Sequence, residues 1–244
     1  MTKATISILG ATSDLAQSVA RQLATVDTRF TLVARDEAKL AAVAADLTAR
    51  GAHTTCLVAD LADLETHEAL LNDLTEADHH FLFYGVLGDQ GSEEADWSSA
   101  ESGLRVNFLS PVSLLHGLSN ALESRGRGSL VVVTSVAGDR GRGSNYWYGT
   151  AKGALSIHCQ GLRNRLAGSG VHVMTVKPGF IDTAMTAHIP KTPAVLWASP
   201  DTVAKHIVKG WSKQKNVIYT PVFWRMIMWV IGAIPEGVFK RLSL

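Results

Sequence analysis

Tyr148 and Lys152 stand four residues apart in Tyr148-Gly-Thr-Ala-Lys152, at the head of a stretch with helical periodicity. That spacing puts a phenol and an ammonium on one helix face, where both can address the same substrate atom. A free phenol ionises at about pH 10, and an adjacent ammonium favours its ionised form, so the pair predicts a Tyr148 pKa lowered by Lys152. Thirteen residues upstream an apolar run ends at Ser135. A hydroxyl at a strand end beside the pair can hydrogen-bond a carbonyl oxygen as charge develops on it. Together the three groups suit proton transfer to or from the oxygen of a carbonyl or alcohol. Tyr146 has no lysine at the matching offset and is set aside. A Tyr-x-x-x-Lys pair alone is common, and its meaning comes from the elements around it.

Those elements alternate. Strands are predicted over 5–9, 30–34, 54–59, 80–84, 130–135 and 171–176, and helices over 14–25, 36–50, 66–74, 97–123 and 148–167. Most of the strands are continuous apolar runs, as in parallel strands covered on both faces. The pattern predicts an α/β fold: a single-domain, doubly wound parallel sheet over residues 1–244 with helices on both faces and right-handed crossovers. A helix over 201–213, a last strand over 217–219 and an extra apolar C-terminal helix complete it.

At the amino end, Ile6-Ser-Ile-Leu-Gly10-Ala-Thr-Ser-Asp14-Leu-Ala16 reads as strand, tight turn and helix. Backbone N–H groups and a helix N-terminus in that context hold a dinucleotide pyrophosphate, which makes Gly10, Thr12, Ser13 and Leu15 candidate contacts. An ordinary capped β–α connection gives the same pattern. Asp14 and Ala16 stand where further glycines are expected, and the Asp14 carboxylate must turn away from a pyrophosphate to be tolerated. Arg35, at the end of the second strand, can neutralise a ribose 2′-phosphate, favouring NADP(H) over NAD(H); a solvated arginine at a helix start is the plainer reading. Asp60-Leu61, after the third strand, suits either an adenine contact or a helix cap.

With these residues in view, the chain resembles a short-chain dehydrogenase/reductase over nearly its whole length. The matching pieces are the Gly10 turn, Asp60-Leu61, Asn107 in Arg-Val-Asn-Phe, Ser135, Tyr148, Lys152 and Pro178-Gly-Phe-Ile-Asp-Thr183. The resemblance implies a Rossmann-like fold and a catalytic set of Asn107, Ser135, Tyr148 and Lys152, with Asn107 holding a water that links Lys152 to solvent. It also implies a nicotinamide cofactor contacted by Pro178, Gly179, Ile181 and Thr183, with Tyr148 and Lys152 beside it and Lys152 holding its ribose. The family's usual Asn-Asn-Ala-Gly after the fourth strand is here Leu82-Phe83-Tyr84-Gly85, so only Gly85 of that set is kept. The segments 83–90, 135–141, 144–149 and 224–244 are further similar to decaprenylphosphoryl-ribose epimerase reductase subunits. That likeness implies a polyprenylphosphoryl 2-keto-pentofuranose as substrate and a flavin oxidase as partner. Other readings are a general ketone or 3-oxoacyl reductase and a non-catalytic dinucleotide-binding regulatory subunit.

The chain is 46% hydrophobic and 18% charged, which argues against disorder. Its formal net charge is +1, but residues 203–244 carry seven Lys or Arg against the single acid Glu236, leaving the rest negative. The basic residues interleave with Trp, Ile and Met rather than forming a polar stripe, so a nucleic-acid partner is not expected. The charge-free run Met226–Ile234 is too short to cross a bilayer. With its tryptophans and basic flanks, the segment 221–244 suits either an interfacial anchor on anionic lipid or a helix packed over the cleft or between subunits. Cys56 and Cys159 lack metal-ligand spacing and read as buried thiols, with no metal site expected. The N-terminus runs straight into a strand, predicting a cytoplasmic protein, peripheral on the membrane in the anchor reading. A homo-oligomer is expected from the family resemblance.

Overall fold

Runs of β-branched and aromatic residues become strands where the pattern places them. The computed structural model describes residues 4–242, so the ends of the predicted 1–244 and 221–244 ranges, residues 1–3 and 243–244, lie outside the described residues. In chain order the strands are β1 (Ala4–Leu9), β2 (Thr28–Ala34), β3 (His53–Val58), β4 (His79–Leu82), β5 (Gly128–Val133), β6 (Val171–Pro178), β7 (Phe180–Ile181), β8 (Trp197–Ala198) and β9 (Val217–Thr220). Seven of them form a wholly parallel sheet of order β3-β2-β1-β4-β5-β6-β9, and β7 pairs with β8 in a separate ribbon.

The helices are α1 (Asp14–Leu23), α2 (Glu37–Ala49), α3 (His67–Leu74), α4 (Gln90–Ala95), α5 (Trp97–Leu104), α6 (Ser110–Arg125), α7 (Tyr146–Arg165), α8 (Pro200–Ser212), α9 (Trp224–Ala233) and α10 (Glu236–Phe239). Alternation along the strands divides the core into two layers. Val131 of β5 packs with Val19 of α1, Leu40 of α2 and Ile207 of α8. Its neighbours Leu130 and Val132 join Leu74 of α3, Leu118 of α6 and Leu155 of α7 on the opposite face. The doubly wound α/β architecture is therefore as expected.

Two local expectations change. Cys159 is buried, but Cys56 is exposed, because β3 is an edge strand whose Thr55, Cys56 and Val58 lie outside the cover of the helices. The predicted helix over 97–123 is interrupted: α5 and α6 are joined by a π turn, Arg105–Leu109, with Asn107 buried inside it. A π turn inserts a residue into the helical repeat and re-aims a side chain, a device common at functional sites.

The chain leaves β1 toward β2 on one side, whereas β4 continues toward β5 on the other. That reversal opens a crevice beyond the carboxyl ends of β1 and β4, where ligands bind in open α/β sheets. Gly10 and Gly85 both sit at its mouth.

Candidate active site

Gly10 has φ +82, in the left-handed region that favours glycine, and a Cβ there would come within 2.8 Å of Tyr84 Cβ. Conformation and close approach thus both require it. Ser13 caps α1, its hydroxyl accepting from the Ala16 N–H at 3.2 Å. Asp14 is therefore not the cap. Its carboxylate turns outward and accepts from the Ala184 N–H at 2.9 Å, tying the glycine turn to the loop after β7. The carboxylate that looked awkward beside a pyrophosphate is engaged elsewhere.

Two cavities share Thr12, Ser13, Tyr84, Gly85 and Met185 and form one continuous cleft. The first, about 240 Å³, is lined by Gly10, Arg35, Asp60 and Leu61. The second, about 220 Å³, is lined by Leu15, Ser135, Tyr148, Lys152, Pro178, Gly179, Ile181 and Thr183. A third, about 460 Å³, meets the second at Ser135, Tyr148 and Gly179. Every sequence-predicted site residue except Asn107 therefore lines the cleft, and Ser135 and Tyr148 stand where it opens into the outer pocket.

The residues fit a dinucleotide. Asp36 is occupied in capping α2, accepting from the Lys39 N–H at 3.0 Å and pairing with the Lys39 ammonium at 3.3 Å. Arg35 takes no part in those bonds and offers its charge to the cleft. Asp60 closes a turn, accepting from the Ala62 N–H at 2.9 Å, while still lining the same cavity.

At the chemical end, Ser135 follows β5 and its hydroxyl accepts from the Ala137 N–H at 3.1 Å, fixing the side chain. Tyr148 and Lys152 project from the first turns of α7, with Nζ 5.8 Å from the centre of the phenol ring. Here the structure corrects the sequence expectation. Burial pushes the Tyr148 phenol up to about 12, the Ser135 hydroxyl pulling weakly the other way. Burial also pulls the Lys152 ammonium down to about 8. Desolvation is the largest influence on Tyr148, and the opposing pull comes from the Ser135 hydroxyl rather than from the Lys152 charge.

Asn107 lies behind this pair. Its amide donates to the Val86 carbonyl at 2.8 Å and the Gly103 carbonyl at 3.0 Å, and accepts from the Val86 N–H at 3.1 Å. Gly85 separates it from Lys152: a Cβ at Gly85 would lie 2.7 Å from Asn107 Oδ1 and 3.0 Å from Lys152 Nζ. Retention of that one glycine from the family's usual four-residue pattern has a steric reason.

Sequence reasoning missed several contributors. Tyr84 fills the place beside Gly10, its hydroxyl 2.8 Å from Ser110 Oγ, and burial holds it far above its ordinary pKa. Trp224, at the start of α9, lines the outer pocket against Gly179 and meets Phe180 edge-on at 5.6 Å. Phe180 in turn stacks on Trp197 at 5.0 Å. The signal for Trp224 was helical spacing: Trp224 and Met228 face inward, whereas Met226 and Trp229 face out. The tail thus packs beside the cleft while leaving an apolar face exposed. Arg140 secures it, bonding Glu236 at 2.8 Å and the Gly232 carbonyl at 3.0 Å.

Residues 4–194 match the short chain dehydrogenase family. An oxidoreductase of Mycobacterium tuberculosis, described as uncharacterized, is 37% identical, the alignment covering 98% of this chain and 97% of that protein. Another so described, from Streptomyces coelicolor, is 33% identical over 96% of this chain and 94% of its own length. Among solved structures, a short-chain dehydrogenase from Sphingobium yanoikuyae in complex with NADPH superposes with a TM-score of 0.85 at 23% identity, covering 99% of this chain and 96% of that one. The chain belongs to the short-chain dehydrogenase family and is an oxidoreductase of the CH–OH/C=O class using NAD(P).

Proposed function

We propose that the chain is an NADPH-dependent ketone reductase in which Tyr148 delivers the proton, and that its substrate is a polyprenylphosphoryl 2-keto-pentofuranose reduced to the arabinose form. The observation that carries the reaction is the meeting of the two cavities at Ser135 and Tyr148. In this reading Gly10, Thr12, Ser13, Leu15, Arg35, Asp60, Leu61 and Gly85 hold the adenosine and pyrophosphate half of the cofactor. Lys152, Pro178, Gly179, Ile181 and Thr183 hold the nicotinamide half. Arg35 supports NADPH over NADH, in keeping with the ligand of the Sphingobium structure.

When bound, the cofactor supplies a hydride to the carbonyl carbon. The chain's own groups handle the oxygen. Ser135 donates a hydrogen bond to it, and Tyr148, protonated because burial holds its pKa at about 12, transfers its phenolic proton as charge accumulates there. The phenolate left behind is stabilised by the Lys152 ammonium on the next helical turn. Lys152, with its pKa near 8, returns the proton. Asn107, bridging Val86 in the buried π turn, holds the route by which Lys152 is recharged from solvent. A regulatory, non-catalytic role gives no reason for these four side chains to converge.

The lipid-linked substrate is supported by α9, which presents Trp224 to the outer pocket and Met226 and Trp229 to the exterior. Among the described residues no helix is long and apolar enough to cross a membrane. Peripheral contact of α9 with the cytoplasmic face of a bilayer would bring the cleft to such a substrate. The same reading brings a flavin oxidase as the source of the ketone and a homo-oligomer as the working form. The test is to supply NADPH or NADH with a panel of ketones, including the polyprenylphosphoryl 2-keto-pentose and a 3-oxoacyl thioester, and to follow loss of nicotinamide absorbance. Turnover is expected with the keto-sugar and abolished in Tyr148→Phe, with cofactor binding retained. Activity surviving in Tyr148→Phe removes the mechanism, and preference for the thioester replaces the substrate.

A further inference from the structure

The outer pocket carries a chemical imprint that the proton-transfer set does not use. Three of its side chains hold buried polar atoms with no hydrogen-bond partner: Arg142 Nε, Asn145 Oδ1 and Trp224 Nε1. Buried polar atoms are nearly always paired, so orphans on side chains that line one cavity point to a ligand's groups; Trp224 Nε1 is packed against Gly179, which leaves Arg142 and Asn145 as the pair beside the cavity. The first offers a donor and the second an acceptor.

Arg142 matters most. It sits between Gly141 and Gly143, in the loop from Ser135 to Tyr148, and no carboxylate pairs with it among the described residues. Burial lowers its pKa, with no neighbouring charge to offset the cost. A half-buried guanidinium without an anion carries a desolvation cost, part of which is recovered when an anion arrives. The acids on the same wall are otherwise engaged. Asp89 caps α4 and accepts twice from Ser92, at 2.9 and 2.7 Å. Glu93 is tucked against Gly88 and Gly103, and burial raises its carboxyl toward the neutral form.

We propose that this pocket selects ketones carrying an oxyanion and a hydroxyl, with Arg142 pairing the oxyanion and Asn145 Oδ1 accepting from the hydroxyl. The proposal rests on the reductase reading for its carbonyl, but the anion subsite is a property of Arg142 alone. It names a substrate class, hydroxylated keto-phosphates or phosphodiesters, and disfavours plain apolar ketones. Arg142 is a specificity residue, acting on the end of the substrate away from the reacting carbon.

The probes are dihydroxyacetone phosphate and dihydroxyacetone, which differ only in the phosphate. The wild-type chain, Arg142→Gln, Arg142→Lys and Tyr148→Phe are compared in kcat/KM with NADPH and in direct binding read by tryptophan fluorescence. A charge-assisted hydrogen bond predicts that Arg142→Gln loses about ten- to a hundredfold in kcat/KM and in affinity for the phosphate, with a much smaller loss for dihydroxyacetone. Arg142→Lys should recover part of the preference, since it restores charge without the two-pronged geometry. Tyr148→Phe should bind the phosphate normally. Equal loss on both probes, or undiminished phosphate binding in Arg142→Gln, overturns the anion subsite. Absence of wild-type turnover alongside Arg142-dependent binding would instead count against the reductase reading and leave the subsite standing.

Discussion

Replacing Lys152 with methionine should make the folded chain more stable near neutrality while ending its activity. In the folded chain the ammonium gives up its proton near pH 8, against an ordinary 10.5, because it is desolvated. At about 1.4 kcal/mol per pH unit, the protonated lysine costs the fold about 3 kcal/mol when both states are charged. The sign follows from proton counting. Between about 8 and 10.5 the unfolded chain still holds a proton that the folded chain has lost, so wild-type stability rises across that window. Methionine keeps the aliphatic stem and removes the charge. It forfeits the contact of the ammonium with the Tyr148 ring, 5.8 Å away, which is worth about 0.5–1 kcal/mol. A net gain of about 2 kcal/mol remains. Urea unfolding of both proteins without cofactor, followed by tryptophan fluorescence, should show the variant ahead at neutrality and the gap closing by about pH 10.5. A variant that is less stable at neutrality, or a gap indifferent to pH, would refute the claim that desolvation governs this lysine.

Gly85→Ala should lower kcat at least about tenfold, because its methyl would press on both Asn107 Oδ1 and Lys152 Nζ and break hydrogen bonds worth about 1 kcal/mol each; the check is steady-state kinetics beside a cofactor titration, and unaltered kcat would separate Asn107 from proton supply. Arg35→Ala should raise the KM for NADPH about ten- to a hundredfold and leave NADH nearly unaffected, as measured by initial rates with each cofactor. Met226→Ser with Trp229→Ser should reduce co-sedimentation with anionic liposomes without loss of fold, since these side chains are 73% and 74% exposed. Equal pelleting of that double variant and the wild type would exclude membrane contact through α9.

The architecture was legible because strand and helix periodicities differ and glycine turns mark the joins. The Tyr148–Lys152 pair was legible because helical spacing alone puts both side chains on one face. Less legible was anything set by burial from distant segments. Asn107 lay in what read as one helix over 97–123, and no periodicity signals a π turn over five residues. Cys56 read as core because its strand is apolar, yet edge position depends on strand order, which is a property of the whole sheet. Asp14 read as a misfit at the glycine turn, since its partner Ala184 is far along the chain. Arg142 gave no motif at all; a cation between two glycines in a loop becomes informative only when its Nε is found buried and unpaired.

The pKa reversal at Tyr148 also has consequences for direction. A lysine that lowered the phenol toward neutrality would serve proton removal from an alcohol and proton delivery to a ketone about equally. Burial instead leaves Tyr148 loaded with its proton up to about 12 and Lys152 ready to release one near 8. In the proposed reduction, Tyr148 would therefore carry its proton before the substrate arrives, and Lys152 would hold its own loosely enough to pass it on. A substrate anion held by Arg142 would exclude further water from the outer pocket and strengthen every charge interaction at Ser135 and Tyr148. The rate gain from a keto-phosphate over its uncharged counterpart should thus appear in kcat as well as KM. An effect confined to KM would mean that Arg142 binds substrate and transition state alike.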